Sequence, residues 1–199
     1  MGLIKQLQTW FRVPVPFRSE DYALQEQYAE DYRLIAACLV AELDFDSVID
    51  LGCANGLLLL PFHRAGKEVC GIELSPNVMS YLPSELREVV SIGDFSAMGG
   101  QADLVCCVEM AEHIKPNRSE ELVDKLTSLA RGWIYFSAAP PGQGGRGHIN
   151  CRPMSEWIRW FEDRGWRLDE EKTAALASTT QRLEKAQWLH GNSVIFGKL

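Results

Sequence analysis

The hexapeptide EMAEHI, Glu109 to Ile114, sets two carboxylates and an imidazole directly behind the apolar run ADLVCCV. Glu109, Glu112 and His113 stand at i, i+3 and i+4, so a helical turn beginning at Glu109 would put all three on one face. Carboxylates with an imidazole suit Mg²⁺, Mn²⁺, Fe²⁺ or Zn²⁺, provided that a further partner completes the shell and positions stay open for substrate. The same imidazole, with an unperturbed pKa of about 6.5, suits a general base working near neutrality. The third reading is an ordinary polar helix start in which His113 only hydrogen-bonds a loop. The residues of the hexapeptide leave all three open.

What must position this cluster is one compact unit. The chain has 199 residues, 46% of them hydrophobic, enough for a single sizeable core. A formal net charge of −7 argues against a surface built to hold polyanions, so nucleic acid is not expected as a partner. The six cysteines form no C-x-x-C pair and mostly sit in apolar runs, which is the pattern of a reduced, cytoplasmic protein. Neither a signal peptide nor a membrane span is expected. The opening MGLIKQLQTWFRVPVPF has helical apolar spacing, read as an amphipathic lid packed on the domain, with a membrane-surface role as the alternative. Trp10, Phe11 and Phe17 are the residues that would decide between a monomer and a homodimer.

Beyond the proline break between Val13 and Arg18, Ser19 is expected to cap one long helix ending near residue 43. Short apolar runs follow at 47–52, 68–74, 88–94, 102–109 and 133–139, each uniform enough for a strand buried on both faces. Helical segments fall between most of them, including 119–131 with Ser119 as cap and Gly132 as stop, and a helix ending at Gly165. This alternation predicts an α/β fold: a Rossmann-like, doubly wound seven-stranded sheet, mostly parallel, with an antiparallel edge strand contributed by the last run. Residues 1–45 form an N-terminal helical cap of the same domain, and 46–199 the sheet domain.

In VIDLGCANG a strand ends at Asp50, a loop of small residues follows (Gly52, Cys53, Ala54, Asn55, Gly56), and a helix opens at Leu57. Small residues let a ligand approach the backbone, but the spacing does not fit G-x-G-x-x-G and no phosphate loop is present. This stretch resembles the first motif of class I S-adenosylmethionine-dependent methyltransferases, an acidic residue followed by G-x-G-x-G, with Ala54 in place of the middle glycine. Glu73, closing CGIELS beside Leu74, matches the carboxylate that takes both ribose hydroxyls in that family; Asp94, closing IGD beside Phe95, matches the residue at the adenine amino group. The resemblance runs from about residue 46 to 199, and it implies that S-adenosylmethionine and the chemistry share the carboxyl edge of the strands.

E-x-x-E-H after the fourth strand further resembles the ubiquinone-pathway O-methyltransferases and the small-RNA terminal-ribose 2′-O-methyltransferases, which hold a divalent cation there. In the RNA group a later histidine completes the site, which makes His148, in the four-glycine loop PPGQGGRGHIN, the fourth ligand beside Glu109, Glu112 and His113. Without a metal, His113, His148 and Glu112 would carry proton transfer or positioning. That loop is a flexible lid, a close ligand approach or a plain surface hairpin. The resulting expectation is O-methylation of a small-molecule or glycan hydroxyl. RNA terminal 2′-O-methylation is the alternative, opposed by the acidity, and a non-catalytic partner subunit of the same fold is a third.

Overall fold

The computed structural model describes residues 18–199. The expected amphipathic helix and its proline break lie outside the described residues. Helix α1 (Ser19–Gln25) is followed by a 3₁₀ turn, Glu26–Tyr28, and by α2 (Ala29–Glu42), so the single long helix expected from the sequence is divided. The two pieces answer to different surroundings. Leu24, Gln25 and Tyr28 line a cavity, whereas Ile35, Ala36 and Leu39 are buried in the core; tertiary packing thus overrides a continuous helical pattern. Arg18, not Ser19, occupies the N-cap position, and the Asp21 carboxylate accepts the Arg18 N–H at 2.6 Å.

Seven strands follow: β1 (Ser47–Leu51), β2 (Glu68–Glu73), β3 (Val90–Ile92), β4 (Ala102–Val108), β5 (Ala130–Ser137), β6 (Trp166–Leu168) and β7 (Ser193–Lys198). They form one sheet in the order β3-β2-β1-β4-β5-β7-β6. β1 to β5 are parallel, while β7 runs antiparallel to both β5 and the terminal strand β6. Helices α3 (Leu59–Arg64), α4 (Ser119–Leu129), α5 (Met154–Glu162) and α6 (Glu170–Thr180) cover its faces. Alternate residues belong to two separate cores: Val48, Leu104, Cys106 and Tyr135 pack with α1, α2, α3 and α6, and Ile49, Val105, Cys107 and Phe136 pack with α4 and α5. Burial on both faces is why the strands read as unbroken apolar runs.

Two expected helix boundaries differ. α4 ends at Leu129, and Gly132 lies within β5. Arg118 takes the N-cap of α4; the buried Ser119 hydroxyl instead donates to the Pro116 carbonyl at 3.0 Å and accepts from Asn150 Nδ2 at 2.9 Å. Ser119 is therefore used to anchor the loop behind β5 rather than to start its helix. The strand order reverses between β1 and β4, and in an open α/β sheet the crevice beyond the carboxyl ends at that point is where ligands sit.

Candidate active site

A cavity of about 700 Å³ opens at this reversal point. Its first half is built by the turn after β1. Gly52, Ala54 and Gly56 all adopt positive φ, at 74°, 45° and 79°, to fold the chain back, while the Gly52 and Cys53 N–H groups donate to the Ile72 carbonyl at 2.8 and 3.2 Å. The two glycines serve packing: a Cβ at Gly52 would stand 2.5 Å from Met110 Cγ, and one at Gly56 2.3 Å from Leu86 Cδ1. The space left by their missing side chains is thus taken by Met110 and Leu86, and Ala54 is the non-glycine residue strained in the left-handed region.

Glu73 ends β2 at the cavity wall. Its Oε1 accepts from the Tyr22 hydroxyl at 3.1 Å and the Ser75 N–H at 3.0 Å, and its Oε2 accepts from the Ala54 N–H at 3.2 Å. Asp50 is buried behind it; burial first, and the Glu73 charge second, push its carboxyl well above the usual range. Asn55 donates from Nδ2 to the Tyr22 carbonyl at 3.4 Å, and burial likewise raises the thiol of its neighbour Cys53. Leu74 lies exposed at the rim, and Asp94 and Phe95 close the far wall. Two buried carboxyls and a strand-end acceptor fit a ligand that carries hydroxyl donors and positive charge, as S-adenosylmethionine does.

The second half lies behind β4. Glu109 has φ +51°, which turns the chain sharply before a 3₁₀ turn at Ala111–His113. The expected helical turn therefore begins after Glu109, although the Glu109 carboxyl still lies beside that of Glu112. The Glu109 carboxylate accepts from Ser137 Oγ at 3.0 Å, and the Glu109 N–H donates back to that oxygen at 3.0 Å. Burial raises the Glu109 carboxyl.

Glu112 is fully buried with its carboxyl beside that of Glu109, and among the described residues neither of its oxygens meets a donor in good hydrogen-bond geometry. Its main-chain carbonyl accepts the N–H groups of Ile149 and Asn150 at 2.9 and 3.0 Å, and this folds the glycine-rich loop over the site. His148 arrives by that fold, with Nε2 4.0 Å from Glu112 Oε1 and its ring 5.0 Å from that of His113, edge to face. Gly145 makes the approach possible, since a Cβ there would stand 2.1 Å from His148 Nε2. Glu112, His113 and His148 can each bring one ligand atom within 4.8 Å of the others, a group in which Glu109 does not stand.

The imidazole tautomers follow from their neighbours. His113 Nδ1 lies 3.2 Å from the Gly147 carbonyl and His148 Nδ1 3.3 Å from that of Gln143. A carbonyl only accepts, so both Nδ1 atoms carry the hydrogen and both Nε2 atoms are acceptors. Burial, then the charge of His148, lowers the His113 pKa to about 4, and burial lowers that of His148. Burial, reinforced by Glu109, raises the Glu112 carboxyl well above its usual range. A buried carboxyl group beside that of Glu109 and facing two neutral imidazole acceptors is a ligand set that fits a divalent cation, whose charge would take the place of the carboxyl proton.

Several contributors carry no motif. Tyr22, Asp21 and Gln25 come from α1, Tyr28 and Trp188 meet edge to face at 5.1 Å on the wall, and Arg118 pairs with Asp94. Asp21 and Arg146 form an ion pair between α1 and the glycine-rich loop, and Gln143 accepts from Asn192 at 2.9 Å.

The arrangement has counterparts. A family model described as a methyltransferase domain matches residues 21–171. The magnesium-protoporphyrin O-methyltransferase of Synechocystis is 27% identical over 140 residues, covering 65% of this chain and 60% of that protein. The ubiquinone biosynthesis O-methyltransferase of Thiobacillus denitrificans is 31% identical over 106 residues, covering 49% of this chain and 46% of its own length. The chain thus spans roughly half the length of these relatives. In fold, it resembles the Synechocystis magnesium protoporphyrin IX methyltransferase with bound S-adenosylhomocysteine, with a TM-score of 0.64, 18% identity, and coverage of 100% of this chain and 94% of that one. It also resembles an amino pentose methyltransferase of Micromonospora echinaspora, with a TM-score of 0.66, 15% identity, and coverage of 93% and 98%. With the family model spanning most of the chain and the cradle built at the reversal point of the sheet, the protein belongs to the class I S-adenosylmethionine-dependent methyltransferases.

Proposed function

We propose that this methyltransferase acts on a hydroxyl group of a small molecule. The observation that carries the reading is that the His113, His148 and Glu112 group opens into the same cavity as the Glu73 and Asp94 cradle. S-adenosylmethionine supplies a methyl group on a sulfonium, ready for in-line displacement. Glu73 accepts the ribose hydroxyls, Asp94 faces the adenine amino group beside Phe95, and Asp50 with the 52–56 turn holds the amino-acid end. At the other end, Nε2 of His113, unprotonated at pH 7 though its basicity is lowered by burial, accepts the proton of the acceptor hydroxyl as the oxygen attacks. The relatives named as O-methyltransferases of magnesium-protoporphyrin and of ubiquinone biosynthesis support oxygen as the acceptor and a small molecule as its carrier.

Glu112, His113 and His148 are the residues that would hold a divalent cation, whose chemistry there would be to bind the acceptor oxygen and acidify it. Glu109 stands beside them, held by Ser137. Two measurements test the proposal. S-adenosylhomocysteine at about a hundred times its dissociation constant should raise Tm by roughly 5–10 °C, and the absence of any shift sinks the cofactor assignment. After equilibration with Mg²⁺, Mn²⁺ or Zn²⁺ and dialysis, elemental analysis should find near-stoichiometric metal in the wild type and loss of it in His148→Ala. A metal-free wild type that still methylates leaves His113 as a base acting alone.

A further inference from the structure

Arg118 sits where the chain leaves the turn behind β4 and enters α4, and its side chain borders the cavity beside Asp94 and Phe95. Nη1 donates to Asp94 Oδ2 at 2.7 Å and Nη2 to Asp94 Oδ1 at 2.8 Å. The same guanidinium is braced from behind by Glu121, through Nε at 2.7 Å and Nη2 at 2.6 Å. It also lies over the Phe95 ring, 4.4 Å from the centroid. Asp94 Oδ1 further accepts the Ser96 N–H at 3.0 Å and the Ser96 hydroxyl at 2.6 Å, so three donors meet Oδ1 and one meets Oδ2.

The consequence is an asymmetric carboxylate. Oδ1 is saturated, whereas Oδ2 retains acceptor capacity and cannot rotate away, because the fork of Arg118 fixes both oxygens in one plane. We infer that Arg118 is a positioning residue for base recognition: it locks Asp94 so that Oδ2 accepts the exocyclic amino group of adenine and rejects a purine bearing an oxo group there. This rests on the placement of adenine at Asp94 in the proposed function. An oxo group would set two acceptors against each other, and a fixed acceptor enforces that mismatch where a mobile one would turn aside. The ion pair also holds Asp94 ionised, with its carboxyl far below the ordinary range, so the acceptor never becomes a donor near neutral pH.

The test compares S-adenosylhomocysteine with S-inosylhomocysteine, its 6-oxo analogue, by isothermal titration. The wild type should prefer the amino form by at least about 30-fold. Arg118→Gln should cut that preference below about 5-fold, and Arg118→Lys, which keeps the charge but not the fork, should also lose most of it. Tm of each ligand-free variant checks folding. If Arg118→Gln weakens both ligands by the same factor, or Arg118→Lys retains the full preference, the positioning role is overturned. Asp94→Asn separates the underlying reading: full preference in that variant removes adenine from Asp94 and Arg118's role with it, whereas a wild type that binds neither ligand overturns the cofactor assignment itself.

Discussion

At the scale of single residues, conformational strain and charge pairing mark the site more sharply than residue type. Ala54 and Glu109 are the non-glycine residues with positive φ among those described, and both border the cavity. At Ala54 the strain has no counterpart in its contacts: its N–H reaches Glu73, which a glycine N–H does equally well. Ala54→Gly removes about 1–2 kcal/mol of left-handed strain and adds somewhat less in chain entropy, so Tm should rise by about 1–3 °C with cofactor affinity unchanged. A fall in Tm in calorimetry contradicts this account. Asp94 carries a pH signature of its own. Its folded-state carboxyl lies below the unfolded value of about 3.9, so its contribution is complete above that pH and is lost as pH falls through and below it. The Tm difference between wild type and Asp94→Asn should therefore be constant from pH 7 to pH 5 and shrink below pH 4. A difference that instead grows on acidification excludes the assignment.

At the scale of elements, the site depends on segments far apart in sequence being tied by buried polar groups. Asp31, on α2 and 3% exposed, accepts the N–H groups of Glu184, Lys185 and Ala186 at 3.1, 2.8 and 2.6 Å. These bonds hold the segment that carries Trp188 against Tyr28 on the cavity wall. Asp31→Asn keeps the shape but turns one acceptor oxygen into a donor facing backbone N–H groups, which should cost about 2 kcal/mol and lower Tm by roughly 4–8 °C. A thermal melt within 1 °C of wild type, about a quarter of a kcal/mol, would mean that the segment is held otherwise. The sheet was legible because strands buried on both faces leave continuous apolar runs, and the turn after β1 was legible because its small residues fall between a strand and a helix. The division of the first helix and the strand character of Gly132 were not, since each is decided by what the segment packs against. Asp31, Tyr22 and Arg118 carry no local sequence signal for the same reason: a polar residue at a helix is indistinguishable from a solvated one without its distant partner. His148 was reachable through a motif, but its tautomer and its approach through Gly145 exist only in the folded loop.

At the scale of the whole molecule, the reversal of strand order gathers the Glu73 and Asp94 wall and the Glu112, His113 and His148 group into one cavity, and two covering elements meet above it. α1 reaches Glu73 through the Tyr22 hydroxyl, and its Asp21 is paired with Arg146 of the loop that carries His148. Glu73 and the histidine loop are thereby joined through one short helix, and the expected step in ligand exchange is the parting of that helix from the loop. An ion pair that is partly exposed contributes less than about 1 kcal/mol, and its loss shows in rates of opening before it shows in stability. Arg146→Gln should therefore raise the dissociation rate of S-adenosylhomocysteine by roughly twofold to fivefold in stopped-flow displacement, with the association rate rising alongside and Tm of the ligand-free protein nearly unchanged. If both rates match the wild type, the α1 and loop contact is not what limits exchange, and the cofactor reaches Glu73 without parting the helix from the loop.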